Sequence, residues 1–487
     1  MKESSQPGAL ALGELLPEAR LDSRLSQIRI SGITSDSRAV ERDFLFAALP
    51  GVKADGMVYA RTAAEKGAAV IIGQSAPETD PGIPVILVPD ARAALAKIAA
   101  RFYPRQPKTI IAVTGTNGKT SVASFVRQIW AELGFPAASL GTVGLVSPKG
   151  EEYSNLTTPD PIALHRIVDR LAGEGVTHLA LEASSHGLDQ HRLDGMKLAA
   201  GGFTNITRDH LDYHATFDAY RTAKLKLFGE LLPPKAGAVI CADGPGAADF
   251  VAAAKERGLR LLTVGAHGLG IHLLKSERDG FAQRLTVRHA EEDYVLLLPL
   301  AGDFQMENAL VAAGLAIATG GKPAKVFAAL ENLQGAKGRL ERVGETNGAV
   351  VVVDYAHTPD ALANALDALR PYANGRLIVL FGAGGDRDPG KRPLMGAAAH
   401  DKADAVIITD DNPRSEEPAT IRRQILAAAP GAREIGDRGT AIATAIGELQ
   451  PGDILLVAGK GHETGQIVGG KTLPFSDHEA ILSALKG

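Results

Sequence analysis

An α/β fold in three domains, a central parallel-sheet domain between an N-terminal α/β domain and a C-terminal Rossmann-like one, is the class this sequence predicts. Three observations predict it. Short apolar runs rich in β-branched residues alternate with Ala-rich stretches of helical spacing along most of the chain. Many of those runs end in glycine-rich or polar tips, as strands of an open sheet do at its binding edge. Two segments lack either pattern, Tyr103-Pro104-Arg105-Gln106-Pro107 and residues 335–341, and read as linkers that set domains of 1–104, 105–337 and 338–487.

Composition narrows the class. A chain of 487 residues has room for several cores, and 45% hydrophobic with 22% charged residues describes a globular protein. A net charge of −4 leaves no broad basic surface for nucleic acid. The single cysteine, Cys241, follows Ala238-Val239-Ile240 and belongs to a core, which excludes a disulfide framework or thiolate cluster. No stretch is long and apolar enough to span a bilayer and no signal-peptide pattern opens the chain, so a cytoplasmic protein without a membrane span is expected.

In the first domain, the apolar runs Ala68–Ile72 and Val85–Val88, which follow Phe44–Leu49, read as strands alternating with Ala-rich helices near 59–66 and 91–103. Ile33-Thr34-Ser35-Asp36-Ser37-Arg38 is a polar turn with no evident chemistry of its own.

The second domain begins with the most informative stretch. Thr109-Ile110-Ile111-Ala112-Val113 is a buried strand, and Val122, Phe125, Val126, Ile129 and Leu133 recur at helical spacing until Gly134. Between them lies Thr114-Gly115-Thr116-Asn117-Gly118-Lys119-Thr120-Ser121. A glycine-rich loop entering a helix aims backbone N–H groups at one point, which suits phosphate oxygens. Lys119 adds a mobile cation, and the Thr120 hydroxyl is placed for the Mg²⁺ of a nucleotide. Val113 stands where a full Walker pattern has its first glycine, so the chain reads Gly-x-x-Gly-Lys-Thr. The alternative is a turn with a surface lysine. The strand before and the helix after favour a triphosphate site in a P-loop-type domain.

Two more strand ends reach the same rim. Leu179-Ala180-Leu181 delivers Glu182, with Ser184, His186, Gln190 and Arg192 following, and Phe203 leads to Asp209-His210. A carboxylate and an imidazole there suit a second Mg²⁺, while either alone is equally a cap or a salt-bridge partner. The stretch from Tyr220 to Phe228 is helical, and in isolation its lysines read as solvated.

The third domain repeats the pattern. Val350–Val353, Leu377–Phe381, Ala405–Ile408 and Ile454–Val457 end in Asp354-Tyr355-Ala356-His357, Gly382–Asp388, Asp410–Arg414 and Gly459-Lys460-Gly461-His462-Glu463. Arg387, Arg414, Lys460 and Glu463 at one rim form a pocket for a zwitterion: arginines grip carboxylates, and a glutamate takes an ammonium.

Taken together, Thr114–Thr120, Glu182-Ala183-Ser184-Ser185-His186-Gly187, Asp209–His214, Asp354–His357 and Gly459–Glu463, in this order along nearly the whole chain, resemble the Mur ligase family. The resemblance implies a three-domain ATP-dependent amide ligase of peptidoglycan precursor synthesis. By the same resemblance, Ser35, Ser37, Val52, Lys53 and Ala54 hold a uridine nucleotide, while Asn155, Thr157, Thr158, Ser184, Gln190 and Arg192 contact a muramoyl peptide. Gly115, Thr116, Asn117, Gly118, Lys119, Thr120 and Ser121, with Asn308, Arg339 and Asp354, hold ATP. By its Tyr-x-x-Ala-Lys spacing Lys224, ahead of the neighbouring Lys226, matches a lysine that the family carbamylates, and so joins Thr120, Glu182 and His210 as a magnesium ligand; Lys119, Lys224 and His210 are the expected catalytic residues.

Asp411-Asn412-Pro413-Arg414 resembles the tetrapeptide of members that add meso-2,6-diaminopimelate, with Arg387, Gly459 and Glu463 completing the site. A guanidinium is the natural partner of that acceptor's far carboxylate and would repel the ammonium of lysine. The implied reaction phosphorylates the D-glutamate carboxylate of UDP-N-acetylmuramoyl-L-alanyl-D-glutamate, and the acceptor amine then displaces phosphate. ATP, Mg²⁺ and small-molecule substrates are the expected partners, and a monomer is expected. A sister ligase with L-lysine or D-alanyl-D-alanine as acceptor, a folylpolyglutamate synthetase, or a non-catalytic nucleotide-binding paralogue are the other readings; the last predicts losses at Lys119, Glu182, His210 or Lys224, all of which are present.

Overall fold

Strand and helix alternate throughout the computed structural model, which describes residues 8–51, 55–153, 156–210 and 213–486. The chain packs as two units, Met1–His272 with Leu310–Val326 and Leu273–Ala309 with Phe327–Gly487. The segment 103–107 lies inside the first unit and 335–341 inside the second.

The first unit opens with a four-stranded parallel sheet, Gly32–Thr34, Phe44–Ala47, Val70–Gly73 and Val85–Leu87 in spatial order. Helix Ala91–Phe102 starts where Asp90 accepts from Arg92 N–H and Ala93 N–H, and it buries Leu95, Ile98, Ala99 and Phe102. Immediately after it, the Arg105 guanidinium and backbone N–H both donate to Asp169, which fastens the connecting segment to helix Pro161–Gly173.

The larger sheet of this unit holds six parallel strands in the order Ala137–Gly141, His178–Glu182, Thr109–Thr114, Leu198–Phe203, Gly237–Cys241 and Arg260–Gly265. Thr109–Thr114 lies near its centre with Ile110 to Val113 fully buried, which is why that strand is apolar on both faces rather than alternating. Its neighbours are reached in opposite directions, so its carboxyl end is the switch point where such sheets bind ligands. Helix Lys119–Glu132 turns Val122, Phe125, Val126, Ile129 and Trp130 inward. Each such side chain contributes about 1.5–3 kcal/mol. Cys241 is buried, as expected.

Buried in the same unit, His165 donates from Nε2 to the Asp194 carbonyl at 3.0 Å, while its Nδ1 meets no partner. Burial pushes this imidazole down to about 4. Because the unfolded chain binds this proton near pH 6.5, stability is lost as pH falls from about 6.5 to 4, by about 3 kcal/mol. Thermal melts across that range should therefore show a fall that His165→Gln makes shallower, and an unaltered slope would refute the assignment.

The second unit is built on a six-stranded sheet, Glu341–Thr346, Ala349–Asp354, Ile454–Ala458, Leu377–Phe381, Ala405–Ile408 and Arg433–Glu434 in order, parallel except for the first strand. Apolar clusters cover both faces. Pro359 opens helix Pro359–Leu369 at a position where its missing N–H costs nothing. The four strand ends expected to share a rim do so, since their strands are parallel neighbours. Among the described residues no helix is long and apolar enough to cross a membrane.

Candidate active site

Parallel register sets the first rim. Val113 lies opposite Glu182 on one side, and Thr114 opposite Phe203 on the other. The loop that follows is tied to the segment after Phe203: Asn117 N–H donates to Asn205 Oδ1 at 3.0 Å, Thr204 Oγ1 donates to the Asn117 carbonyl at 2.5 Å, and Thr207 N–H donates to Thr116 Oγ1 at 2.9 Å. Gly115 cannot be anything larger, because a Cβ there would sit 1.9 Å from Thr204 Oγ1. Gly118, at φ +86°, turns the chain into the helix. Thr120 and Ser121 are buried in its first turn.

Two lysines converge on one carbonyl. Lys119 Nζ donates to Gly115 O at 2.9 Å and Thr116 O at 2.8 Å, and Lys224 Nζ donates to the same Gly115 O at 2.7 Å. Lys224 is 1% exposed, so the solvated reading of this helix is overturned at that position: Phe217–Lys226 turns it inward, over the Tyr220 ring at 4.7 Å. Burial, then the neighbouring Lys119 ammonium, pushes its amine well below the ordinary lysine range. Lys226, two residues on, instead lies 3.6 Å from Asp189. Tyr220 also bonds Thr116 Oγ1 at 3.0 Å, so one helix turn braces both lysine and loop.

Glu182 is buried, its two oxygens accepting from Thr142 N–H at 2.8 Å and Thr142 Oγ1 at 3.1 Å. Gly141 makes room for it, since a Cβ there would fall 2.0 Å from Glu182 Oε1. His210 has φ +53° and a ring 5.1 Å from that of His186 and 6.1 Å from that of Tyr220. Crowding by protein lowers its imidazole, as do Lys119 and Lys224, against the pull of Asp209. Among the described residues no three His, Cys, Asp or Glu side chains gather as a metal site. Glu182 and His210 supply two suitable donors. Glu182 offers the carboxylate oxygen that Mg²⁺ takes, whereas Lys224 as an ammonium offers no ligand atom.

Beside Glu182 lies a polar network holding most of the expected muramoyl-peptide residues. Thr157 Oγ1 is 2.9 Å from Thr142 Oγ1, and Thr158 Oγ1 donates to the Glu182 carbonyl at 2.7 Å. Ser184 N–H donates to Thr158 Oγ1 at 3.1 Å, and Ser184 caps helix Ser185–Asp189. Arg192 donates to Thr158 O at 2.6 Å and Gln190 Oε1 at 2.8 Å, while Gln190 Nε2 reaches the Tyr213 hydroxyl at 3.0 Å. Burial lowers the Arg192 guanidinium. Ser35 and Ser37 sit just beyond strand Gly32–Thr34, where Asp36 takes a two-pronged grip from Arg38. Val52, Lys53, Ala54 and Asn155 lie outside the described residues.

The second unit carries the remaining positions. Asp354 accepts from Leu340 N–H at 2.7 Å and Ala356 N–H at 2.8 Å, and burial raises its carboxyl against the nearby Arg339 guanidinium. Arg339 stacks over Tyr355 at 5.0 Å, and Asn308 donates to Gln305 at 3.2 Å. At the acceptor rim, Asn412 Nδ2 donates to Glu463 Oε2 at 2.8 Å. Asp411 is buried, and Gly459, at φ +112°, would place a Cβ 2.7 Å from its Oδ2. Arg414 has φ +53° and extends Nη1 to the Gly385 carbonyl at 2.8 Å; Pro413, just before it, offers its carbonyl to Glu416 N–H, and Arg387 is exposed on the neighbouring tip. Lys460 departs from expectation. It is fully buried between two glycines of positive φ, with its ammonium held by side chains of the rim rather than open to solvent.

Three residues of the network were not among the expected site residues: Thr142, Tyr213 and Tyr220. Tyr220 stands four before Lys224, one helical turn away, and that spacing was a usable signal. Tyr213 lies within the motif Asp209–His214, and Thr142 alone carries no signal.

Known proteins share this layout. Models described as Mur ligase family, catalytic domain; Mur ligase middle domain; and Mur ligase, glutamate ligase domain match residues 29–103, 113–316 and 338–461. A UDP-N-acetylmuramoyl-L-alanyl-D-glutamate–2,6-diaminopimelate ligase from Bradyrhizobium diazoefficiens is 61% identical over 96% of this chain and 97% of its own length. The chain belongs to the Mur ligase family. A ligase of the same name from Brucella melitensis is 59% identical to this Mur ligase over 94% of each chain. A solved structure of a UDP-N-acetylmuramoyl-L-alanyl-D-glutamate–2,6-diaminopimelate ligase superposes on it with a TM-score of 0.73 at 32% identity, covering 98% of this chain and 99% of that one. The three-domain α/β architecture of the family is thus the architecture of this Mur ligase.

Proposed function

We propose that this Mur ligase uses ATP to join meso-2,6-diaminopimelate to the D-glutamate carboxylate of UDP-N-acetylmuramoyl-L-alanyl-D-glutamate, through domains 1–104, 105–337 and 338–487. It does so as a cytoplasmic monomer, with every site residue drawn from one chain. The observation that carries the reading is the convergence of Lys119 and Lys224 on the Gly115 carbonyl, at the rim that Glu182 borders.

A carboxylate acylates poorly. Transfer of the γ-phosphoryl group of ATP onto it gives an acyl phosphate, and the acceptor amine then forms a tetrahedral intermediate that expels phosphate. Loop N–H groups and the Lys119 ammonium offset the charge on the transferred group. Burial disfavours the ammonium form of Lys224, and its neutral amine adds to CO₂, forming an N–C bond and releasing one proton, so that a buried amine becomes a carboxylate. That carbamate, with Glu182, His210 and the Thr120 hydroxyl, would hold Mg²⁺, whose contribution is Lewis-acid neutralisation of phosphate oxygens. The polar network around Thr158, Ser184 and Arg192 orients the peptide carboxylate, Ser35 and Ser37 serve the uridine nucleotide, and Asn308, Arg339 and Asp354 serve ATP.

Arg414 and Arg387 receive the acceptor's carboxylates, and Glu463 its ammonium. Phosphate release with the muramoyl dipeptide tests this directly, comparing meso-diaminopimelate with lysine. The first should be strongly preferred; preference for lysine would overturn the acceptor. Arg414→Ala should raise the KM for diaminopimelate about 10- to 100-fold, or about 1.4–2.8 kcal/mol, and leave that for ATP nearly unchanged. Equal effects on both would remove Arg414 from the pocket.

A further inference from the structure

Lys460 lies at a tip of the acceptor rim, yet none of its side chain is exposed. Gly459 and Gly461 flank it with φ of +112° and +53°, and both are needed. A Cβ on Gly459 would fall 2.7 Å from Asp411 Oδ2, and one on Gly461 2.8 Å from Tyr355 Cβ. Between these two glycines a long cationic side chain is buried at the end of strand Ile454–Ala458.

Its partners are side chains of the rim. Lys460 Nζ donates to Asn412 Oδ1 at 3.2 Å and Glu463 Oε2 at 3.0 Å, and lies 3.9 Å from Asp411 Oδ1. Asn412 Nδ2 donates to the same Glu463 Oε2, and Ile467 N–H donates to Asn412 Oδ1 at 2.9 Å. Among the described residues both hydrogen bonds to the Glu463 carboxylate fall on Oε2, and Oε1 is the oxygen offered to an ammonium. The strand end itself is secured separately: Arg438, paired with Asp477 out of solvent, donates to the Ala458 carbonyl at 2.9 Å. Lys460 is therefore not required as the fastener of this strand.

We infer that Lys460 is the positioning residue of the acceptor pocket: by bridging Asn412 and Glu463 it fixes the place and orientation of the carboxylate that receives the acceptor's ammonium. This rests on the reading of the rim as the acceptor site. A carboxylate freed from that bridge rotates, and a misplacement near one ångström is costly for a zwitterion gripped at both ends.

The test is steady-state phosphate release by Lys460→Met, with acceptor and ATP varied in turn. The KM for diaminopimelate should rise about 10- to 100-fold, with the KM for ATP within about twofold of the parent. Lys460→Arg, which keeps the charge but misplaces it, is measured alongside and should show the same split. Because Lys460 acts through Glu463, the double variant Lys460→Met/Glu463→Gln should be no worse than Glu463→Gln alone. Parallel changes in both KM values, an unmoved acceptor KM, or additive losses in the double variant would overturn the inference. Failure of the unaltered enzyme to accept diaminopimelate would instead strike the acceptor reading.

Discussion

Lys119→Ala is expected to lower phosphate release by about 10³-fold or more, with the fold intact. The side chain lies on the loop rather than in the core, where Ile110 to Val113 and Phe125 are fully buried, so melting should move little. Its ammonium is held 2.9 Å from Gly115 O and 2.8 Å from Thr116 O, over the loop that joins strand Thr109–Thr114 to helix Lys119–Glu132. Loss of that charge leaves the transferred phosphoryl group with hydrogen bonds alone. A variant retaining a tenth of the parent rate would show that the loop is not the phosphoryl site.

Lys224→Ala should cost about 10²- to 10³-fold for a different reason. Lysine is an unsuitable metal ligand as an ammonium, and its burial beside Lys119 disfavours that form. Alanine removes the carbamate and opens a cavity large enough for a small carboxylate. Formate or acetate should then restore part of the rate, and the intact parent protein should carry the added mass of one CO₂. No rescue, together with an unmodified lysine, would count against the carbamate.

Much of this was readable from the residues alone. Thr109–Thr114 and the helix after it were visible because a doubly covered parallel strand leaves an uninterrupted apolar run and the helix a 3.6-residue stripe. Glu182 could be placed on the rim of Lys119 since parallel strands end together. The surroundings of Lys224 and Lys460 were another matter. In one dimension Lys224 looks like a surface cation and Lys460 like an open member of the pocket, and only packing against Tyr220, or against Asp411, Asn412 and Glu463, shows them buried. Thr142 was invisible because its value lies in bonds to a residue forty positions away. Domain limits read from linkers describe chain composition, whereas the two units reflect which segments pack together.

The backbone at Arg414 bears on attempts to redirect the ligase. A non-glycine residue at φ +53° is held there by its N–H on Ile467 O at 2.9 Å and by Gly469 N–H on its own carbonyl at 2.7 Å. Those partners belong to the antiparallel ribbon Gly465–Val468 and Lys471–Pro474 and to its turn. The unusual conformation costs about 1–3 kcal/mol and is sustained by that ribbon. Converting the enzyme to a different amino acid is thus a matter of grafting tetrapeptide and ribbon together, and a lone exchange at 414 would leave a contorted main chain with nothing to present.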